Sequence, residues 1–384
     1  TLDAMEAIYL DNAASTPVAE AVRQRMLPFL GIECANPSTR YASGVRAAAA
    51  IEAARRKVQR VLCAQDHQVI FTAGGTEANN LAVLGAARSR GPGSVWIGAT
   101  EHASVRRPSQ ALAQEGHQVR TLPLDAQGGL DLERALASIG PDTTVVAHML
   151  VNNEVGTRYA IAPFFAAVRR KAPRAHLHVD CIQGLGKLDL SLEELNADSL
   201  SISAHKVHGP KGSGALVLHR NAKITPLIHG GPHEGGLRAG TENVAGIVGL
   251  AEAVHLASEH QLAFVASAEA CRHALDAGLR RLAGFQARRT TDSVASIVSL
   301  TVPGAPGEVW QHHLEEFGLE VGLGSACQSK SGEISPALKA LGLPDRDVRQ
   351  VLRISFSRTT SVQEVQALVD ALERLVPRLA EVPA

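Results

Sequence analysis

From about residue 18 to about residue 220, apolar positions alternate between two spacings, and the alternation predicts the fold class. Val18, Val22 and Met26 recur at helical spacing with Leu27 and Leu30 on neighbouring rows, and the Ala-, Arg-, Glu- and Lys-rich stretch from Ser43 to Leu62 predicts a second helix. Short runs rich in apolar and β-branched residues then follow: QVIFT (68–72), SVWIG (94–98), QVRTL (118–122), TTVVAHML (143–150), HLHVD (176–180), SLSIS (199–203) and GALVLH (214–219). Helix-like segments separate most of them. Strands alternating with helices imply crossover units, hence an α/β architecture with a mostly parallel sheet covered on both faces. After about residue 255 the texture changes. A long Ala/Leu/Glu-rich helical stretch leads to strand candidates SIVSLTV (296–302) and VLRISFS (351–357), then to a capping-box pattern, Ser361 with Glu364. The helix it opens carries Val362, Val365, Leu368, Val369, Leu372 and Leu375 on one face. This second part reads as a smaller α+β domain, and the space between the two is the default place for a site.

Composition narrows the function. Lys plus Arg and Asp plus Glu are equal at 38 each in 384 residues, and aromatics are only 3%. Neither the charge excess that grips phosphate backbones nor a base-stacking platform is available, so direct nucleic-acid binding is not expected. Nowhere do eighteen apolar residues run together, so no membrane partner is expected either, and the acidic start TLDAMEAIYLDN does not read as a signal peptide. The five cysteines (34, 63, 181, 271 and 327) are scattered and never spaced as CxxC. That pattern fits a reducing cytoplasm with no disulfide framework and no metal site. Four of them fall in helical or strand patterns and are expected to be buried packing groups; Cys327 lies in a run of small and polar residues, GLGSACQSKSGE, that reads as a mobile loop. HExxH and Walker-type motifs are absent, and GPKGSG lacks dinucleotide-binding spacing.

In a parallel sheet, ligand-binding groups gather where strands give way to loops at their carboxyl ends. QVIFT is followed by AGGTEANN, where Gly74, Gly75 and Thr76 at a helix start could cradle a phosphate. SVWIG leads to His102, TTVVAHML to Asn153 and Glu154, HLHVD ends on Asp180 with Gln183 close behind, and SLSIS delivers Ser203, His205 and Lys206. Each alone has an ordinary explanation: a glycine turn, a solvated histidine, an asparagine turn, a helix cap, a surface lysine. Together, five strand ends carry a phosphate cradle, an imidazole, an amide, an acid and an amine. Pyridoxal 5′-phosphate (PLP) needs that whole set: a lysine for its aldehyde, a carboxylate for its ring nitrogen, donors for its phosphate and a stacking partner for its ring. Lys206 is therefore read as the cofactor anchor.

The ordered motifs FTAGGTEANN, TEHASV, VNNEVG, HVDCIQ, SAHKVHGPKG, RAGTEN and GSACQSKSG resemble the cysteine desulfurases, PLP enzymes of the class V aminotransferase group, and the resemblance runs from LDNAAST to LRISFSRTT. It implies the PLP-dependent transferase fold (fold type I). A large cofactor-binding domain would span 15–255, and a small domain, residues 1–14 with 256–384, would carry the cysteine loop. It further implies that Lys206 holds the cofactor and shuttles the substrate's Cα proton, and that Asp180 pairs with the ring nitrogen. Gln183 and Asn153 would sit at the ring hydroxyl, and His102 would stack on the ring and act as acid or base. Gly75, Thr76, Ser203 and His205 would hold the phosphate, and Thr241 would reach the phosphate of a neighbouring subunit, which makes the protein an obligate homodimer. Arg353 would take the substrate carboxylate with Asn36 and Asn153 nearby.

By the same resemblance, Cys327 is the nucleophile that takes sulfur from L-cysteine as a persulfide, releasing alanine, before delivery to an acceptor protein. Iron–sulfur assembly and tRNA or cofactor thiolation all draw on this family. The chain departs from the common family pattern at GLGSACQ around Cys327, at Tyr41 in NPSTRY, and at Cys181-Ile182 between Asp180 and Gln183. NPSTRYASG and GSACQSKSGEISPALKALGLP are similar to the selenocysteine lyase branch, which leaves L-selenocysteine as an alternative substrate. A non-catalytic PLP-binding relay scaffold is a further alternative.

Overall fold

The structure, a computed structural model, describes residues 7–288, 290, 292–324 and 334–381. Among the described residues, twelve strands form two sheets. The larger has seven strands in the order β2-β8-β7-β6-β5-β3-β4, with β2 Gln68–Thr72, β3 Ser94–Gly98, β4 Gln118–Leu122, β5 Thr143–Met149, β6 His176–Asp180, β7 Ser199–Ser203 and β8 Gly214–Leu218. Pairings from β4 through β3, β5 and β6 to β7 are parallel, and β8 runs antiparallel to both its neighbours, so six of the seven strands point the same way. The seven strands expected in this sheet are all present, within a residue of the positions read from the pattern. Every residue of β5, β6 and β7 is buried, as near-continuous apolar runs covered on both faces require, whereas the edge strand β4 buries only Leu122.

The smaller sheet, β1-β11-β12-β10-β9, comprises β1 Ile8–Leu10, β9 Gln286–Arg288, β10 Ile297–Thr301, β11 Leu319–Leu323 and β12 Val351–Ser355. It is antiparallel except where β1 joins β11. Chain start and chain end thus meet in one sheet. The helix Val362–Leu379 packs against it through Val365, Leu368, Val369, Leu372 and Leu375, in one cluster with Leu10, Val298, Leu300, Leu352 and Ile354. Each such side chain contributes about 1.5–3 kcal/mol on burial. The expected capping box is formed: Ser361 Oγ accepts from Glu364 N–H, and the Glu364 carboxylate accepts from Ser361 N–H at 2.6 Å.

Two expectations need correction. Of the four cysteines expected to be packing groups, only Cys181 and Cys271 are buried. Cys34 and Cys63 are exposed, Cys63 because it follows the Ala42–Val61 helix with φ 48°, which swings it away from the helix's buried face. The first helix, Glu20–Leu30, buries only Val22 of the expected row; Val18, Leu27 and Leu30 are exposed. Among the described residues no helix is long and apolar enough to cross a membrane.

Candidate active site

Loops leaving five parallel strands enclose a cavity of roughly 320 Å³. Gly75 and Thr76 come from after β2, His102 and Ser104 from after β3, Val151 and Asn153 from after β5, Ile182 and Gln183 from after β6, and His205 and Lys206 from after β7. Asp180 and Ser203 line it from the last positions of β6 and β7. The smaller sheet supplies one side chain, Arg353 of β12, and Ala13 and Ala14 enter from the segment after β1. Ten of the residues singled out in the sequence thus converge: Gly75, Thr76, His102, Asn153, Asp180, Gln183, Ser203, His205, Lys206 and Arg353.

Asp180 is buried, which pushes its carboxyl up, but donors pull it back toward the charged form. Ile182 N–H donates to Oδ1 at 2.9 Å and Asn79 Nδ2 to Oδ2 at 2.7 Å. Both oxygens accept, so the group is set up as a carboxylate. Lys206 Nζ donates to the carbonyl oxygens of Ala13 and Ala14, each at 2.7 Å. Gln183 Nε2 shares the Ala13 oxygen at 2.8 Å, and its Oε1 accepts from Lys187 Nζ at 3.2 Å. A carbonyl only accepts, so Ala13 fixes which end of the Gln183 amide carries hydrogen. Burial, with the Lys206 charge adding to it, lowers the Lys187 ammonium to about 7.

The floor near β2 and β7 suits an anion. The Gly75–Arg90 helix starts with no side-chain cap on its first N–H groups, because Gly74, which precedes it, has no side chain to accept from them. Beside it, Ser203 Oγ is buried without a hydrogen-bond partner. His205, brought to about 4 by burial and by the charges of Lys206 and Lys211, is neutral near pH 7. A Cβ at Gly75 would lie 2.1 Å from Ile182 Cδ1, so the backbone approaches closely there. Unsatisfied N–H groups and an orphaned hydroxyl fit a phosphate, and the Asp180 carboxylate fits a protonated ring nitrogen. The residues present fit PLP.

Arg353 is almost fully buried and held by Asp11: Nη2 donates to Asp11 Oδ1 at 2.7 Å and Nε to the same oxygen at 3.2 Å. Its Nη1 donates to the Asn153 carbonyl at 3.2 Å. Just behind, burial lifts the Glu154 carboxyl to about 7, while the Ser335 hydroxyl, which donates to Oε2 at 2.5 Å, and the Arg353 and Arg106 charges pull it down.

Two of the residues singled out in the sequence are not brought into this cavity. Asn36 is exposed, with its Oδ1 accepting from Ser38 N–H at 2.9 Å, and Thr241 is exposed on the segment that precedes the Val244–Glu259 helix. Cys327 lies outside the described residues. Sequence reasoning passed over Asn79, Ser104, Asp11 and Lys187, although Asn79 and Ser104 stand inside the quoted runs AGGTEANN and TEHASV.

A family profile, aminotransferase class-V, matches residues 8–368. A protein named cysteine desulfurase from Bradyrhizobium diazoefficiens is 39% identical over 380 residues, covering 97% of this chain and 95% of that one. Among solved structures, a NifS-like protein superposes with a TM-score of 0.91 at 32% identity, covering 97% of this chain and 100% of the other. A structure of SspA in complex with cysteine gives 0.80 at 32% identity, over 91% of this chain and 98% of that one. The chain belongs to the class-V aminotransferase family, whose fold type I architecture and PLP dependence it shares.

Proposed function

We propose that this protein is a PLP-dependent cysteine desulfurase that converts L-cysteine to L-alanine and takes the sulfur onto Cys327. The observation that carries the reading is the convergence of Lys206, Asp180, His102, Gln183 and Arg353 on one cavity whose floor suits a phosphate. The relatives named cysteine desulfurase, and the similar fold solved with cysteine, point to the same substrate.

PLP bound in this cavity supplies an electron sink for the charge left when the substrate's Cα loses its proton. The chain's own groups do the rest. Arg353 exchanges Asp11 for the substrate carboxylate and grips it in bidentate fashion, which orients the Cα. Lys206 Nζ would anchor the cofactor and, once freed, carry the Cα proton. Asp180 would accept from the ring nitrogen, Gln183 would donate toward the ring oxygen, and Ser203, His205 and the helix start at Gly75 and Thr76 would hold the phosphate. The Cys327 thiolate attacks the substrate sulfur. The S–S bond forms as the Cβ–S bond breaks, the electron pair stays with the carbon fragment, and protonation there yields alanine. One cysteine and one thiol give one alanine and one persulfide, so no outside oxidant or reductant is consumed.

A homodimer completes the site in this reading, with Thr241 serving the partner's cavity. Supporting it, Leu30, Ile32, Tyr41 and Val45 are exposed apolar side chains along one stretch, and the segments 37–38 and 232–235 line a common cavity of about 500 Å³. The large domain 15–255 and the small domain formed by 1–14 with 256–384 are the units between which the substrate enters. A soluble acceptor protein in the cytoplasm then removes the sulfur.

The test is direct. Cofactor-loaded protein incubated with L-cysteine should release alanine and gain one sulfur atom on Cys327 by mass spectrometry, and Cys327→Ser should abolish both. Alanine and selenide from L-selenocysteine that survive Cys327→Ser, with no turnover of cysteine, would instead identify a selenocysteine lyase. No alanine from either amino acid would leave only a PLP-binding scaffold.

A further inference from the structure

Asn79, on the Gly75–Arg90 helix, is completely buried and uses all of its hydrogen-bonding capacity. Its two N–H bonds point to Asp180 Oδ2 at 2.7 Å and Ser104 Oγ at 2.8 Å. Its Oδ1 accepts from Ser201 Oγ at 2.5 Å and from His178 Nε2 at 3.0 Å. Flipping the amide would set an oxygen against the Asp180 carboxylate, so its orientation is fixed. The Ser104 oxygen, having accepted from Asn79, turns its own hydrogen toward His102 Nδ1, 2.8 Å away. The same Nδ1 accepts from Ser104 N–H at 3.1 Å, closing the N-cap of the Ala103–Gln114 helix. A backbone N–H can only donate, so Nδ1 carries no proton.

We propose that Asn79 and Ser104 are positioning residues that lock His102 as the neutral imidazole with its proton on Nε2, the same Asn79 amide fixing Asp180 as an acceptor. With Nδ1 occupied, His102 presents Nε2–H as a hydrogen-bond donor and has no open ring lone pair to take a proton. How turnover uses that donor rests on the desulfurase reading; the tautomer itself does not. Burial and the nearby Lys206, Arg106 and Arg353 charges hold the imidazole below its ordinary value, against the pull of Asp180, in keeping with the neutral form.

The test is long-range proton–nitrogen NMR on full-length protein labelled at histidine nitrogens, with and without PLP, His102 being assigned by loss of its signals in His102→Gln. The expected spectrum shows a neutral ring with Nε2–H from about pH 7 to about pH 9. An Nδ1–H ring or an imidazolium at neutral pH overturns the proposal. Ser104→Ala should move the tautomer ratio about fivefold toward Nδ1–H, the worth of one net hydrogen bond, and Ser104→Thr, which keeps the hydroxyl, should restore it. Asn79→Asp should act like Ser104→Ala, because the Ser104 hydroxyl would then turn to the new carboxylate. An unchanged ratio in both Ser104→Ala and Asn79→Asp removes the positioning role. A protein with the expected tautomer but no alanine production loses the desulfurase reading alone, and one that makes alanine with the other tautomer loses this proposal alone.

Discussion

The two walls of the cavity hold their polar groups in opposite ways. On the wall built by β6 and the helices following β2 and β3, acceptors and donors are matched: Asp180 takes a bond on each oxygen, with lone pairs left for a ring nitrogen, and Asn79 makes four. On the facing wall the two cations rest on the segment after β1, Arg353 on the Asp11 carboxylate and Lys206 on the carbonyls of Ala13 and Ala14. Removing a partner from a matched buried network strands a polar group at a cost of about 1–3 kcal/mol, whereas a cation can trade one acceptor for another of the same kind at little cost. The first wall is suited to groups whose protonation must not vary. The second is suited to groups that must let go and take hold during turnover.

The largest effect should come from the second wall. Lys206→Ala leaves the facing wall intact, so PLP is expected to bind, yet borohydride should trap no covalent label on the chain, and alanine production should fall by at least about a thousandfold. A label found on another lysine, or retained activity, would break the contrast at its main point. Next is Arg353→Lys, which keeps the charge but loses the planar fork. A drop of about 10- to 100-fold in kcat/KM is expected, with the visible spectrum of the bound cofactor unchanged. A changed spectrum would mean that Arg353 belongs to the fixed wall instead.

The strand-end residues of both walls were legible from sequence, and the reason is topological. In a parallel sheet the residues that follow each strand are carried to one edge, so locating β2, β3, β5, β6 and β7 also located His102, Asn153, Asp180 and Lys206. The second wall depends on contacts that no local pattern announces. Asp11 and Arg353 are 342 positions apart, and β1, the strand that delivers Asp11, is only three residues long. Asn79 escaped for a different reason: nothing in TEANN distinguishes a buried hub from a helix-surface amide until β6 and β7 are packed against it. The exposed Leu27 and Leu30 misled because helical periodicity reports an apolar face without saying which body covers it.

Behind Arg353, outside the cavity lining, sits Glu154, whose carboxyl is lifted to about 7 in the folded chain from an ordinary value near 4.5. A raised acid binds more protons folded than unfolded, so its effect on stability has a definite sign. The wild-type protein should lose stability from this group as pH rises from about 4.5 to about 7 and change little beyond, once the buried carboxylate is fully charged. Glu154→Gln, which can still accept from Ser335, removes that slope. Relative to wild type the variant should gain on the order of 1–2 kcal/mol at pH 8 over its value at pH 5, read from denaturant melts at both pH values. A constant difference across pH would place Glu154 in an environment as polar as the surface and would separate it from both walls.

The smallest effect should lie farthest from either wall, at the cap of the Val362–Leu379 helix. Ser361→Ala removes the oxygen that accepts from Glu364 N–H at 3.2 Å, and Glu364 loses the hydroxyl at 2.9 Å while keeping its backbone partner. A lost serine cap costs about 1 kcal/mol, and the apolar face of this helix, buried against β10 and β12, holds the helix in place without it. Global stability should therefore fall by about that amount in urea melts, while kcat/KM stays within about twofold of wild type. A larger loss of activity than of stability would mean that strain at the helix start reaches Arg353 through β12. In that case the facing wall would be adjustable along its whole length and not only at its acceptors.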